Sequence, residues 1–311
     1  MDNLTHSLVG AVLGQAGLKR TTGLAMPALI IGANLPDVDA ACFFWLEGTE
    51  HLAFRRGITH GPPALVLLPL ILAGLLWGWD RWQTRRGTRP EGRLPVRFGW
   101  LYAMAFIGCL SHPFFDWLNV YGIRLLEPFS SQWFYGDTLF IIDPWLWALL
   151  IASIWLSRRR EKAGAVQWAR PAQVGIAAVL AYIGVNAGIT ASTERALLAE
   201  GDPPELVSIA APVLLAFWQR EELVGNPTYG QWYVETPGKE PWLDGYKQAG
   251  CDLEERRKTD PQLDAFLFWS RAPYVHKREG GAFWIGDARF TDERVKDRFA
   301  VPLPRGCRFI D

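Results

Sequence analysis

Four apolar runs, at residues 61–79, 98–118, 139–157 and 172–190, are each long enough to cross a bilayer as a helix, which takes roughly 20 residues. Nothing else restricts the fold so strongly, because lipid offers the backbone no hydrogen bonds and leaves only helices or closed barrels as spanning structures. Two further apolar segments are shorter or broken: 5–18, and 23–46, which Pro36, Asp37 and Asp39 interrupt. They read as a half-spanning or re-entrant helix and a broken span. Met1-Asp2-Asn3 has no basic lead and no small-residue cleavage site after it, so the first segment is not expected to be a cleaved signal peptide.

The character changes near residue 190. Residues 1–190 carry 16 basic and 12 acidic side chains, whereas the shorter stretch 191–311 carries 16 and 20. Two solvents are implied. The expected organisation is a transmembrane domain, 1–190, forming an all-α multi-span bundle, followed by a small β-rich (α+β) domain, 191–311. In the latter, 231–235 alternates polar and apolar, 265–270 is aromatic-rich, and 273–278 and 282–290 flank a Gly turn as in a hairpin. Helix is predicted around 203–220 and 253–258. Over the whole chain 32 Lys and Arg balance 32 Asp and Glu. That balance excludes an electrostatically driven nucleic-acid binder, and the 50% hydrophobic content excludes disorder.

Orientation follows from the short loops. Residues 80–97 carry Arg81, Arg85, Arg86, Arg89, Arg93 and Arg97, and 158–170 carry Arg158, Arg159, Arg160, Lys162 and Arg170, whereas 119–138 has Arg124 alone. The Arg-rich loops are predicted to be cytoplasmic, which puts 40–60, 119–138 and everything after 190 outside. Of the four cysteines, Cys42 and Cys109 fall in membrane segments and Cys251 and Cys307 in the outer domain. An oxidising compartment permits a Cys251–Cys307 disulfide, with two unpaired thiols as the alternative.

Ionisable side chains at membrane depth are costly and mark pathways, relays or sites. Here they are His6, Asp37, Asp39, His60, His112 and Asp116, with Asp137 and Asp143 just beyond, all at the outward end of their segments. His6 shares a helix face with Gly10 and Gly14, which lets another helix approach and turns the histidine toward protein. Asp37 and Asp39, one residue apart, form a compact carboxylate pair for a cation. His112 and Asp116, four apart, offer two ligands from one helix face. Each also has a plain structural reading: a packing histidine, a helix-ending turn, a hydrogen-bonded pair. Asp143 reads equally as a site residue or as the cap ahead of Pro144. Arg55 and Arg56 are candidates for holding an anionic substrate group, or else touch lipid headgroups.

These motifs resemble a known family. Met1-Asp2-Asn3-Leu4-Thr5-His6, Leu35-Pro36-Asp37-Val38-Asp39, Arg56-Gly57-Ile58-Thr59-His60, His112-Pro113-Phe114-Phe115-Asp116 and Gly136-Asp137 through Asp143-Pro144-Trp145 resemble the bacterial membrane-bound metal-dependent hydrolases of the LexA-regulated inner-membrane type. Asn226-Pro227 before Trp232-Tyr233-Val234-Glu235, and Phe268 through Pro273 before Gly286-Asp287-Ala288-Arg289-Phe290, extend the likeness to the outer domain. The order His, Pro-Asp, Thr-His, His-x-x-x-Asp is also similar to zinc-dependent phospholipase C. Relatives read His-Arg-Gly-x-Thr-His-Ser where this chain has Arg55-Arg56-Gly57-Ile58-Thr59-His60-Gly61, which removes one candidate ligand and a hydroxyl.

The resemblance implies a multi-pass protein of the bacterial inner membrane with an extracytoplasmic C-terminal domain. Its implied chemistry is metal-dependent hydrolysis of a phosphoester in a lipid or lipid-linked substrate. The ligand candidates are His6, Asp37, Asp39, His60, His112 and Asp116, holding one to three divalent ions, zinc ahead of manganese or magnesium. Asp39, Asp116 and Asp143 are the catalytic carboxylate candidates, and Arg55 and Arg56 the substrate-binding ones. Two rivals share the ligands: a membrane amidase or peptidase, disfavoured by the absence of a His-Glu-x-x-His signature, and a non-enzymatic metal-binding or transport protein.

Overall fold

Asp2 starts the first helix. Its carboxylate accepts from the backbone N–H groups of Leu4 at 2.9 Å and Thr5 at 3.1 Å, satisfying two of the donors that the first turn of α1 (Asn3–Gln15) leaves open. In the computed structural model, which describes residues 1–199, 206–227, 230–244, 251–278, 281–292 and 295–307, the chain divides into two units. The first comprises Met1–Asp39 and Arg56–Val185, the second Ala40–Arg55 and Asn186–Asp311.

Within the first unit α1 packs on α2 (Ala25–Gly32), and α2 on α5 (Phe98–Trp117). Small residues set both approaches: a Cβ on Gly10 would lie 2.7 Å from the Ile30 Cα, and one on Gly108 2.4 Å from the Leu29 carbonyl oxygen. The backbone of α2 is thereby held close to helices on two sides. Ala25, Ala28, Leu29, Leu72, Met104 and Ala105 form one buried apolar cluster there. A second joins α1 to the later helices through Val9, Val12, Phe115, Leu146, Leu150 and Val179.

Three described helices are long and apolar enough to cross a membrane: α4 (Pro62–Arg85), α5, and α7 (Arg170–Ala199). A fourth crossing is available if α2 and the following 3-10 segment Leu35–Phe44, bent by 49°, act as one broken span. The expected run 139–157 behaves differently. Helix α6 (Pro144–Lys162) begins only at the Asp143 cap and reaches Arg158 after 14 residues, an apolar length of about 21 Å against the roughly 30 Å of a bilayer core. A crossing by α6 needs Arg158, Arg159 and Arg160 to extend their side chains to the headgroups. On α4, Leu67, Leu70, Ile71 and Leu75 face outward, the apolar surface that lipid covers.

The second unit contains α3 (Glu50–Phe54) and two antiparallel sheets. The first runs β1 (Val207–Pro212), β2 (Arg220–Asn226), β3 (Gln231–Glu235), β4 (Trp242–Asp244), and the second β5 (Pro273–Lys277), β6 (Phe283–Asp287), β7 (Ala300–Pro302). The alternation read at 231–235 places Trp232 and Val234 inward and Tyr233 outward. The β5–β6 pair is the expected hairpin, although Glu279 and Gly280 lie outside the described residues. Two expectations change. Where helix was predicted around 203–220, β1 pairs with β2 from Val207 against Gly225 to Pro212 against Arg220; residues 203–205 lie outside the described ones. The β-branched Val207 and Ile209 suit a strand, and burial runs unbroken from Ile209 to Pro212. Conversely, the aromatic stretch 265–270 falls in helix α9 (Pro261–Trp269), because Asp260 caps it by accepting from Gln262 and Leu263 N–H and Pro261 suits its first turn. Helix α8 (Leu253–Arg257) forms as read. Residues 40–55 join this unit through α3 on α9, with the Thr49 hydroxyl donating to the Gln262 carbonyl at 2.8 Å. Cys251 and Cys307 are disulfide-bonded, and Cys42 and Cys109 are buried.

Candidate metal centre

Four elements of the first unit bring ionisable side chains together. His6 comes from α1, Asp37 and Asp39 from the 3-10 segment Leu35–Phe44, His60 from the 3-10 turn Ile58–His60, and His112 and Asp116 from α5. On α5 the i, i+4 spacing stacks His112 above Asp116. A ten-residue 3-10 run is long for that geometry. With three residues per turn it sends side chains two apart to different faces, which separates the Asp pair. Asp37 Oδ1 lies 3.8 Å from His112 Nε2, while Asp39 Oδ2 takes the backbone N–H of Arg56 at 2.8 Å and the Thr59 hydroxyl at 3.2 Å.

Asp116, fully buried, is the hub. Its Oδ1 lies 3.3 Å from His6 Nε2, and its Oδ2 lies 3.4 Å from His112 Nε2, 3.6 Å from His60 Nε2 and 3.0 Å from Arg56 Nε. The Met1 ammonium also contacts Oδ1. The His6 and His112 rings stack with centroids 3.7 Å apart, and His60 and His112 lie 5.0 Å apart.

Hydrogen-bond partners assign the ring protons. His112 Nδ1 is 2.7 Å from the Ala33 carbonyl, which can only accept, so Nδ1 carries the proton and Nε2 a lone pair. The Thr59 hydroxyl gives its proton to Asp39 and must therefore accept from His60 Nδ1 at 2.9 Å, which leaves His60 Nε2 as a lone pair as well. In their neutral forms both rings turn a lone pair toward the Asp116 carboxylate. Accordingly His6 Nδ1 and Nε2, His60 Nε2, His112 Nε2 and Asp116 Oδ2 are buried without a hydrogen-bond partner. Buried acceptors facing one another are costly unless a cation lies between them. Among the described residues two groups have ligand atoms within 4.8 Å of one another: His6, Asp37 and His112, and His60, His112 and Asp116. Neutral imidazole nitrogens and carboxylate oxygens are a donor set that suits zinc, with manganese as a harder alternative.

The remaining sequence candidates fall elsewhere. Asp39 is in neither ligand group and instead ties residues 56–60 in place. Arg56 is buried, with φ of 54°; besides Asp116 its guanidinium donates to Asn119 Oδ1 at 3.0 Å and the Gly122 carbonyl at 3.2 Å, and it stacks over Tyr121. Arg55 belongs to the second unit, where it lies over the Phe43 ring. Asp143 caps α6, Oδ1 accepting from Trp145 and Leu146 N–H and Oδ2 from the Tyr182 hydroxyl at 2.9 Å. Asn119 was not singled out from sequence; its place three residues after Asp116 and seven after His112 is the signal that could have found it. At Gly61, where the resemblance implies Ser, a Cβ would lie 1.9 Å from the Glu127 carbonyl oxygen, so this chain's own 127 segment excludes a side chain there.

A family model described as YdjM inner membrane protein matches residues 1–192, the entire cluster included. The protein described as uncharacterized protein YfhP of Bacillus subtilis (strain 168) is 25% identical over 162 residues, 50% of this chain. That match spans 45% of the relative, so the chain covers about half of the curated relative's length. No solved structure matches.

Proposed function

The chain belongs to the YdjM inner membrane protein family, and from that membership and the cluster geometry we propose that it is an integral membrane metal-dependent hydrolase. The observation that carries the reading is the convergence of His60 and His112 ring nitrogens on a buried carboxylate, a geometry that a divalent cation would satisfy. His6, Asp37, His60, His112 and Asp116 would hold the ion. When bound, a divalent ion supplies Lewis-acid polarisation of a phosphoryl or carbonyl oxygen and makes water more acidic.

The chain's own groups prepare that site. The Ala33 carbonyl fixes the His112 tautomer, the Asp39–Thr59 pair fixes that of His60, and Arg56, anchored by Asn119, orients Asp116. Arg56 is thus a positioning residue in this reading, its Nε and Nη1 already engaged, and Asp143 supports a helix terminus. A site at the end of membrane helices favours a lipid or lipid-linked phosphoester as substrate. The C-terminal domain is proposed to be extracytoplasmic, supported by the Arg-rich loops at 80–97 and 158–170 and by the Cys251–Cys307 disulfide, which persists in an oxidising compartment.

Purified protein should contain tightly bound zinc or manganese and release a phosphorylated headgroup from labelled phospholipids, in a reaction that a chelator stops and metal restores. Metal-free protein with no turnover on phosphoesters would refute the hydrolase reading. Cysteine labelling in intact cells tests the placement: a probe at position 90 reached from outside while one at 240 is not would invert it.

A further inference from the structure

His6 and Lys19 lie at opposite ends of the α1 region, roughly 20 Å apart along a helical path. Around Lys19 there is a cleft of about 400 Å³ whose lining includes the cations Lys19, Arg158 and Lys162 together with the apolar side chains of Met26, Ile30 and Ile154. Glu161, also in the lining, is ion-paired with Lys19, so the cleft keeps a surplus of positive charge. Lys19 also donates to Gln15 Oε1 at 3.2 Å and lies 4.6 Å above the Trp168 ring, which Arg20 flanks at 4.5 Å. These contacts hold the Lys19 ammonium at the cleft, whereas Arg158 and Lys162 are exposed and able to close over a ligand.

We infer that this cleft binds one anionic phospholipid, with Lys19, Arg158 and Lys162 on its phosphate and Met26, Ile30 and Ile154 against the first part of an acyl chain. Two chemistries meet in one cleft. A soluble anion has no use for the apolar side, and a zwitterionic lipid gains little from the surplus charge. A basic pocket between helices of a membrane protein suits an anionic headgroup, and the neighbouring Trp168 suits the lipid–water interface. The site shares no residue with the metal cluster and does not depend on the hydrolase reading.

The test uses the full chain, delipidated in detergent and titrated with phosphatidylglycerol, phosphatidylcholine or inorganic phosphate while bound lipid is counted by native mass spectrometry. Wild type should retain one phosphatidylglycerol in preference to phosphatidylcholine. Each cation contributes about fivefold near an anionic surface, so the Arg158→Gln/Lys162→Gln pair should weaken phosphatidylglycerol on the order of 10–30-fold. The Arg159→Gln/Arg160→Gln pair, outside the lining, should change it by less than about twofold by the same reasoning. Ile154→Trp, which fills the cleft without altering charge, should also expel the lipid and keeps the test decisive if the double variant fails to fold. Equal weakening by the two double variants would reveal diffuse attraction and overturn the site. So would equal retention of both lipids, or complete displacement of phosphatidylglycerol by millimolar inorganic phosphate, which would mean that the apolar side contributes nothing.

Discussion

Asp116 in the first unit and Asp287 in the second are both buried carboxylates with an arginine alongside. Around Asp287 every neighbour is a donor: the Ser270 hydroxyl at 2.6 Å, the backbone N–H groups of Arg271, Ala272 and Arg289, and Arg289 Nε and Nη2 at 2.8 Å. Around Asp116 the Arg56 guanidinium and the Met1 ammonium bring positive charge, but His60 and His112 in their neutral forms turn lone pairs toward Oδ2. A buried charge with a full set of protein donors holds chain segments together, here the end of α9 to the second sheet. A buried charge that also faces acceptors has a place for a further cation beside those the chain supplies.

The largest expected effect breaks the comparison at Asp116. Asp116→Ala and His112→Ala should each abolish metal binding, read by elemental analysis of the purified protein, while membrane insertion persists because the apolar spans are untouched. Retention of metal in both variants would make Asp116 a structural carboxylate like Asp287. Next, Asp287→Ala should destabilise the second unit by about 3–5 kcal/mol, the cost of stranding a buried arginine, and leave metal content unchanged. Hydrogen exchange of the full chain should show the loss of protection in β5, β6 and α9; unaltered exchange would remove the contrast.

A subtler variant sharpens the comparison. Thr59→Val keeps the shape but frees the His60 tautomer, so metal affinity should fall on the order of 10–100-fold, and Thr59→Ser should restore most of it. The smallest effect is one of pH. Burial alone would push the Asp287 carboxyl up, but the Arg289 guanidinium and the hydrogen bonds from Arg289 and Ser270 outweigh it and hold the carboxyl below its ordinary value of 3.8. The carboxylate therefore contributes stability that is complete above that value and is lost as the pH falls toward the lower folded pKa. Exchange protection around Asp287 should decline below about pH 4 in the wild type, and an Asp287→Asn protein should lack that contribution to the decline.

Much of the architecture was legible in one dimension. The apolar runs at 98–118 and 172–190 became spanning helices, and the alternation at 231–235 became a strand, because burial of every side chain or of every second one leaves a direct mark on composition. Where the marks were ambiguous the reading failed for local reasons. The aromatic stretch 265–270 is equally compatible with strand and helix until the Asp260-Pro261 start is weighed, and the apolar run 139–157 loses its first five residues to a non-helical lead into the Asp143 cap.

The site divides in the same way. That His6, Asp37, Asp39, His60, His112 and Asp116 are expensive at membrane depth is a property of each residue and of its neighbours in sequence, so the candidates could be named without coordinates. Which of them face one another could not. Asp37 and Asp39 are interchangeable in sequence, and only the three-residue turn of their 3-10 segment aims one at His112 and the other at the Arg56 and Thr59 loop. Likewise Arg56 reads as a substrate contact until its positive φ and Asn119 turn it onto Asp116. Hydrophobic pattern accumulates along the chain and survives in its order, whereas a hydrogen bond depends on angles between segments far apart in sequence, and those angles exist only once the helices have packed.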